Sequence, residues 1–95
     1  MVVSLIRVII EVPGSSSLKD KRQVVSSLKD RIRRRFRVSV AEVDLQDSLT
    51  FAEIGAAYVS NSRELGEQVM NRVLRFVEDN VPGRVGDVQI RSEFY

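Results

Sequence analysis

The sequence has no cysteine, no histidine and no tryptophan among its 95 residues. Without cysteine there can be no disulfide, no zinc–thiolate site and no thiol nucleophile. Without histidine, the commonest general base near neutral pH and the commonest transition-metal ligand are also missing. We therefore expect no catalytic residue, no cofactor and no enzymatic activity.

Long apolar runs and phosphate-binding loops are lacking as well. No stretch reaches the roughly 20 apolar residues that are needed to cross a bilayer. The apolar residues 2–12 are interrupted by Arg7 and Glu11 and lead into Pro13-Gly14, which indicates a strand rather than a signal peptide. The glycines are scattered and form no glycine-rich loop. We expect a cytoplasmic protein with no membrane partner, and the sequence indicates no small-molecule substrate.

The positive charge, by contrast, is concentrated in residues 18–37. This segment has nine basic and two acidic side chains and carries +7, whereas the rest of the chain carries −5 and the whole chain +2. The basic residues are Lys19, Lys21, Arg22, Lys29, Arg31, Arg33, Arg34, Arg35 and Arg37. A concentration of charge on one element predicts a contact surface for an anion such as nucleic acid.

The pattern of apolar residues predicts six elements along a single domain, residues 1–95. Strands are expected over residues 2–12, 38–43, 49–59 and 85–94, and helices over residues 18–37 and from Ser62 to Asn80. The order strand-helix-strand-strand-helix-strand is the ferredoxin-like split βαβ arrangement. We expect a four-stranded antiparallel sheet of the α+β class, with both helices on one face.

Each element has a predicted core face. In the first strand it consists of the even positions, with Ser4 as the exception: Val2, Ile6, Val8, Ile10 and Val12. In the helices it consists of Val25, Leu28, Ile32 and Phe36, and of Leu65, Val69, Val73, Phe76 and Val77. Val88 and Ile90 are expected to face inward from the last strand, and the stems of Lys21 and Arg35 to lie over the core edge.

The basic residues of the first helix form a stripe beside this core face. At about 100° per residue, Lys19, Arg22, Lys29, Arg33 and Arg37 share one arc. With Arg34 they are our candidates for binding RNA or the ribosome. The first strand has no aromatic residue, and the third has Phe51 and Tyr58 without an RNA-recognition motif, so contact with phosphates is expected rather than base reading. The alternative interpretation is a solvated helix face, with arginines placed for the helix dipole and for salt bridges to the acidic remainder of the chain.

A second hypothesis concerns the sheet face that the helices leave open. Leu5 and Ile9 of the first strand and Phe51 of the third are expected to lie on it. Apolar residues on an open face are typical of a protein interface, often with a second copy of the same chain. This predicts a protein-binding module and a homodimer.

The third and weakest hypothesis is a metal-dependent enzyme. Glu42 and Asp44 would point the same way from a strand, Asp47 could fold back across the turn, and Glu53 lies on the next strand. Carboxylates suit magnesium or calcium. The alternative is a solvated hairpin end, or carboxylates paired with the arginine-rich helix.

Three stretches resemble the YlxP-like family of small bacterial proteins of unknown function. They are residues 13–22 (PGSSSLKDKR), residues 38–44 (VSVAEVD) with Gln46-Asp47, and Val59-Ser60-Asn61. The resemblance implies a ferredoxin-like fold and a cytoplasmic bacterial protein. It also implies a gene neighbourhood of transcription, translation-initiation and ribosome-maturation factors, which favours RNA or ribosome binding. Some relatives carry Trp-Gln-Arg where this chain has Leu49-Thr50-Phe51, so no role of that tryptophan carries over.

Overall fold

The computed structural model describes residues 1–95 and has the predicted order of elements. They are β1 (Val2–Glu11), α1 (Leu18–Phe36), β2 (Ser39–Asp44), β3 (Phe51–Ser60), α2 (Arg63–Asn80) and β4 (Val85–Phe94). The third strand begins two residues later than expected, because Leu49 and Thr50 belong to the bend that precedes it. The other boundaries differ from the prediction by at most one residue.

The four strands form one antiparallel sheet in the order β2-β3-β1-β4. Strand β1 is central and pairs with β3 along its whole length, from Val2 opposite Ser60 to Glu11 opposite Phe51. Its even-numbered residues are buried and its odd-numbered residues are partly or fully exposed. The two helices therefore cover the same face of the sheet, which confirms the predicted ferredoxin-like architecture.

Serines before each helix and a left-handed residue after α1 set the helix ends. The hydroxyl of Ser17 accepts a hydrogen bond from the backbone of Asp20, and that of Ser62 accepts one from Leu65. Arg37 ends α1 with a φ of 52°, and the last turn carries Arg33, Arg34 and Arg35, where the helix dipole favours cations. Neither helix combines the length and the apolar character of a membrane span.

Ser4, the polar exception in β1, is completely buried beneath α2. Its hydroxyl forms a hydrogen bond of 2.7 Å with that of Ser92. Gly66 of α2 lies directly above it, and a Cβ atom at Gly66 would come 1.9 Å from the Ser4 oxygen. The helix approaches the sheet this closely because residue 66 has no side chain.

One predicted core position was wrong, and a second faces the predicted side but is exposed. Leu65 is 42% exposed, and Gly66 and Met70 lie in its place on the buried side of α2. The helix begins at Arg63, and its buried arc passes through positions 66, 70, 73 and 77. Val88 does lie opposite Val8, on the helical side of the sheet, but it is 41% exposed because β4 is an edge strand.

Replacing Gly66 with alanine should destabilise the fold by about 1–3 kcal/mol, because the new methyl group would overlap Ser4. Urea denaturation measures this change. Gln68→Ala, at an exposed position of the same helix, is the matched control and should change stability by no more than about 0.5 kcal/mol. Helix propensity alone predicts the opposite sign for Gly66→Ala, so a more stable variant would contradict the close packing.

Candidate nucleic-acid-binding surface

The packing of α1 on the sheet determines where its charges lie. Val25, Leu28 and Ile32 are buried against the sheet. The six candidates that the sequence analysis selected lie outside this arc: Lys19, Arg22, Arg33, Arg34 and Arg37 are exposed, and Lys29 is half-buried. We call these six residues the α1 basic surface.

Except for Arg34, the α1 basic surface runs along the flank of the helix that adjoins β2 and the outer side next to it. Arg33 shows which flank this is, because its guanidinium donates a hydrogen bond to the carbonyl of Val40 in β2 at 3.4 Å. Arg33 also pairs with Asp30 at 3.0 Å, and Arg34 donates to the Asp30 carbonyl at 3.3 Å. Asp30 is thus the acidic residue that this surface engages.

Most of the α1 basic surface has no acidic partner. Lys19, Arg22, Lys29 and Arg37 have no carboxylate within 4.0 Å and form no side-chain hydrogen bond. The alternative interpretation included salt bridges between such cations and the acidic remainder of the chain. At these four positions the pairing does not occur, so their charge is directed at solvent.

Asp20 lies in the first turn of α1, between Lys19 and Lys21. The hydroxyl of Ser16 donates to its carboxylate at 2.6 Å and the backbone N–H of Ser16 at 3.3 Å. These hydrogen bonds, the hydroxyl first, lower the pKa of Asp20 below its usual value of 3.8. A lowered pKa means that the contribution of Asp20 to stability is present above pH 3.8 and is lost as the pH falls below it.

On its other flank α1 packs against α2 through arginines and aromatic rings. The guanidinium of Arg31 lies 5.2 Å and that of Arg35 5.4 Å from the centre of the Phe76 ring. Arg31 also donates to Asn80 at 2.6 Å, and the Phe36 and Phe76 rings meet edge to face at 5.7 Å. The exposed Arg35 therefore has its guanidinium, rather than only its stem, against the aromatic rings at the edge of the core.

Above these rings the two helices enclose an open cleft of about 410 Å³. Asp79 is the one acidic residue that lines this cleft. Four of the lining residues are arginines: Arg31, Arg35, Arg72 and Arg75. Arg72 and Arg75 are not among the predicted binding residues, although their spacing of three residues on the polar side of α2 is visible in the sequence. What brings them beside Arg31 and Arg35 is the antiparallel packing of the helices. We call these four residues the interhelical arginine cluster.

Lys21 differs most from its predicted position. Its side chain is 1% exposed, so the ammonium is buried along with the stem. The ammonium donates to the carbonyl of Leu45 at 2.6 Å and lies 3.2 Å from Oε2 of Glu42. That oxygen is buried and has no donor aligned with it, so Lys21 compensates its charge through proximity rather than through a well-directed hydrogen bond.

The three carboxylates considered for a metal do not come together. A β-bulge at Val43 shifts the register, so Glu42 lies opposite Ile54 on the helical side and Asp44 lies opposite Glu53 on the open side. The prediction that Glu42 and Asp44 point the same way is therefore wrong. Glu42 faces Lys21, Asp47 is exposed in the turn, and no group of three metal-ligating residues forms in the chain.

The open sheet face carries an ion pair and a shallow apolar depression. Arg7 donates to Oε2 of Glu53 from Nη2 at 2.9 Å and from Nε at 3.2 Å. Beside this pair lies a depression of about 490 Å³ over Gly55, whose missing side chain leaves room for Val43. Of the predicted interface residues, Leu5 lines the depression, Ile9 is half-buried farther along β1, and Phe51 is 44% exposed.

With this geometry in place, comparison with known proteins gives the family. Residues 3–90 match the model of a family described as "Protein of unknown function (DUF503)". The chain belongs to this family. It is also 38% identical over 64 residues to the uncharacterized protein YlxP of Bacillus subtilis (strain 168), covering 67% of this chain and 70% of that protein. The predicted resemblance is therefore confirmed.

Solved structures similar to this DUF503 chain show the fold. The de novo designed protein Foldit4 superposes with a TM-score of 0.54 and 16% identity, over 99% of this chain and 97% of that one. A de novo designed protein with ferredoxin fold, LFR1 1, gives a TM-score of 0.54 and 12% identity, over 98% and 83% of the two chains. Designed proteins of this topology carry no inherited activity, so the likeness concerns architecture alone.

Replacing Lys21 with methionine should cost about 3–5 kcal/mol of stability, because it leaves the Glu42 carboxylate buried without compensation. The double variant Lys21→Met/Glu42→Leu should recover most of this loss, since an apolar pair of similar volume replaces a buried ion pair at little cost. Urea denaturation of the two variants and of Lys19→Met, an exposed control, tests this. Equal losses in the single and double variants would show that the charge of Glu42 is not the cause.

Proposed function

We propose that the protein binds RNA through its phosphate backbone, with the α1 basic surface as the contact. The observation that carries the proposal is the absence of acidic partners at Lys19, Arg22, Lys29 and Arg37. A cation that already holds a carboxylate gains little from a phosphate. An unpaired cation that contacts a phosphate displaces the counterions condensed on the RNA. The four residues occur along an 18-residue interval, about 27 Å at 1.5 Å per residue, which matches several successive phosphates.

The aromatic residues of the sheet support phosphate contact over base reading. RNA-recognition domains of similar topology stack bases on aromatics of an open sheet face. In this chain Tyr58 lies opposite Ser4 on the helical side and packs against the core, and β1 has no aromatic residue. Phe51, the first residue of β3, is the one aromatic on the open side of the paired β1–β3 region. The binding mode is therefore driven by charge and shape.

Ribosomal RNA is the first binding partner to test. It offers a dense, folded array of phosphates to a convex helix, and the gene neighbourhood implied by the family resemblance favours it. The interhelical arginine cluster lies on the opposite flank of α1 from the α1 basic surface. The RNA path can therefore either remain on the β2 side or cross α1 towards α2, and the two paths involve different arginines.

The variant Arg22→Glu/Lys29→Glu should weaken binding to a labelled ribosomal RNA fragment and flatten its salt dependence. Each lost phosphate contact lowers the slope of log K against log salt by about 0.7–0.9, so two contacts account for about 1.5. Fluorescence anisotropy across about 50–200 mM salt measures both quantities. Arg72→Glu/Arg75→Glu in the same assay shows whether the RNA reaches α2.

The matched control is Arg63→Glu/Arg84→Glu, which changes the net charge equally at exposed positions outside both arginine surfaces. It should reduce affinity only through the weaker overall field and leave the slope nearly unchanged. If the control and the Arg22/Lys29 variant weaken binding equally, the contact is non-specific. If the wild-type protein does not bind at low salt, the proposal fails.

A second candidate function, protein binding through the open sheet face, is favoured by the depression over Gly55. Leu5 and Val43 line it with little polar surface, and Phe51 and Val59 are exposed on the same face. Apolar surface of this kind gains free energy when a partner covers it. Here the basic residues serve solubility and the sheet makes the contact.

Changing Phe51 to glutamate should abolish such protein binding at every salt concentration, because an apolar contact is not screened by ions. Affinity capture from a bacterial lysate with wild-type and Phe51→Glu baits measures this. Arg22→Glu/Lys29→Glu is the control bait and should retain the same proteins. Proteins that are lost with the control bait instead would point back to the α1 basic surface.

A further inference from the structure

The two edges of the sheet are unequal. Strand β2 has six residues, contains the bulge at Val43, and has its Val40 carbonyl engaged by Arg33. Such features protect an edge against pairing with another strand. Strand β4 has ten residues and contains neither proline nor lysine. Strand β4 also has an irregularity between Val85 and Val88, and Arg63 engages its Ser92 carbonyl, so its unprotected edge is the regular stretch between these two points, which includes Val88 and Ile90.

The backbone bonds between β1 and β4 show which groups of β4 point outward. Met1 and Tyr95 exchange both of their backbone hydrogen bonds, at 2.7 and 3.1 Å. Bonded and non-bonded pairs alternate in an antiparallel ladder, so Gln89, Arg91 and Glu93 direct their backbone groups at β1. The groups of Val88 and Ile90 point to the free edge, where no other part of the chain meets them.

We propose that β4 pairs with β4 of a second copy of this chain, antiparallel and with the two-fold axis at Gln89. In this register Val88 lies opposite Ile90 of the second copy, and the two residues exchange backbone hydrogen bonds on each side of the axis. Both side chains lie on the helical side, and pairing covers Val88, which is 41% exposed in one copy. Two sheets of four strands become one sheet of eight.

Charge complementarity favours this register. Asp87 lies opposite Arg91 of the second copy, and the symmetry makes this pair twice. Asp87 has no ion pair within its own chain, and Arg91 has one weak contact, at 3.8 Å from Glu93.

Neighbouring registers lack this match. An axis at Ile90 sets Asp87 opposite Glu93, and an axis at Arg91 sets two arginines opposite each other. An axis at Val88 sets Asp87 opposite Gln89, without an opposite charge. An axis at Ser92 sets Arg91 opposite Glu93, but its central hydrogen bonds need the Ser92 carbonyl, which Arg63 already engages. Like charges opposite each other destabilise a ladder, and opposite charges stabilise it.

Swapping the charges of Asp87 and Arg91 by mutation tests the proposal. Asp87→Arg places two arginine pairs across the axis, and Arg91→Asp places two aspartate pairs. Each single variant should raise the dimer dissociation constant about tenfold or more, and Asp87→Arg/Arg91→Asp should restore it to within about threefold. Sedimentation velocity over a concentration series measures the constants. Hydrogen exchange should show that the amides of Val88 and Ile90 become protected as the dimer forms.

Two controls separate this edge from other surfaces. Phe51→Glu changes the open sheet face and should leave the dissociation constant unchanged, and circular dichroism should show that all variants remain folded. A wild-type protein that stays monomeric, a double variant that fails to restore pairing, or a dimer that Phe51→Glu disrupts would overturn the proposal. The RNA measurements do not bear on this outcome, because Asp87 and Arg91 lie outside both arginine surfaces.

Discussion

The buried ammonium of Lys21 fixes the rotation of the most highly charged element in the chain. It reaches the Leu45 carbonyl in the β2–β3 turn and the Glu42 carboxylate in β2, so it joins the first turn of α1 to the far edge of the sheet. With Val25, Leu28 and Ile32 on the same buried arc, only one orientation of α1 satisfies both the apolar contacts and the buried charge. That orientation directs the α1 basic surface at solvent.

This arrangement lowers the stability of the fold, because burying two charges costs more free energy than burying an apolar pair of the same volume. A methionine at position 21 and a leucine at position 42 would fill the space without that cost. The ion pair adds geometric selectivity, because a helix rotated by one residue would carry Lys21 off the buried arc and leave the Glu42 carboxylate without compensation. A helix with eight basic residues needs such a constraint more than an ordinary amphipathic helix, because its basic stripe and its buried arc are adjacent.

The sequence predicted the fold well because the relevant signals are local. Alternation in β1, helical spacing from Val25 to Phe36, and serine caps before both helices each depend on a few neighbouring residues. The buried Lys21 could not be predicted in the same way. A lysine beside an apolar arc usually extends its ammonium to water, and its true partner lies 24 residues away in a turn of unknown position.

The missed features of the candidate site have the same origin. The bulge at Val43 directs Glu42 and Asp44 to opposite faces of the sheet, and no residue type in that short strand predicts a bulge. Arg72 and Arg75 join Arg31 and Arg35 through the register of two packed helices, which depends on the whole core. Exposure of the α1 basic surface was predictable from helical spacing, whereas the lack of acidic partners required the positions of all thirteen carboxylate side chains.

Edge pairing and RNA binding would reinforce each other through the placement of the helices. Helix α2 lies beside β4, where Arg63 donates to the Ser92 carbonyl, and α1 lies beside β2 at the other end of the sheet. In an eight-stranded dimer both α1 helices are therefore on the same face and at opposite ends, with the two α2 helices between them. Two separated basic surfaces on one rigid sheet engage a long or folded RNA with a high effective concentration for the second contact. A short RNA spans only one of them, so length dependence of affinity is the physical signature of the two surfaces acting together.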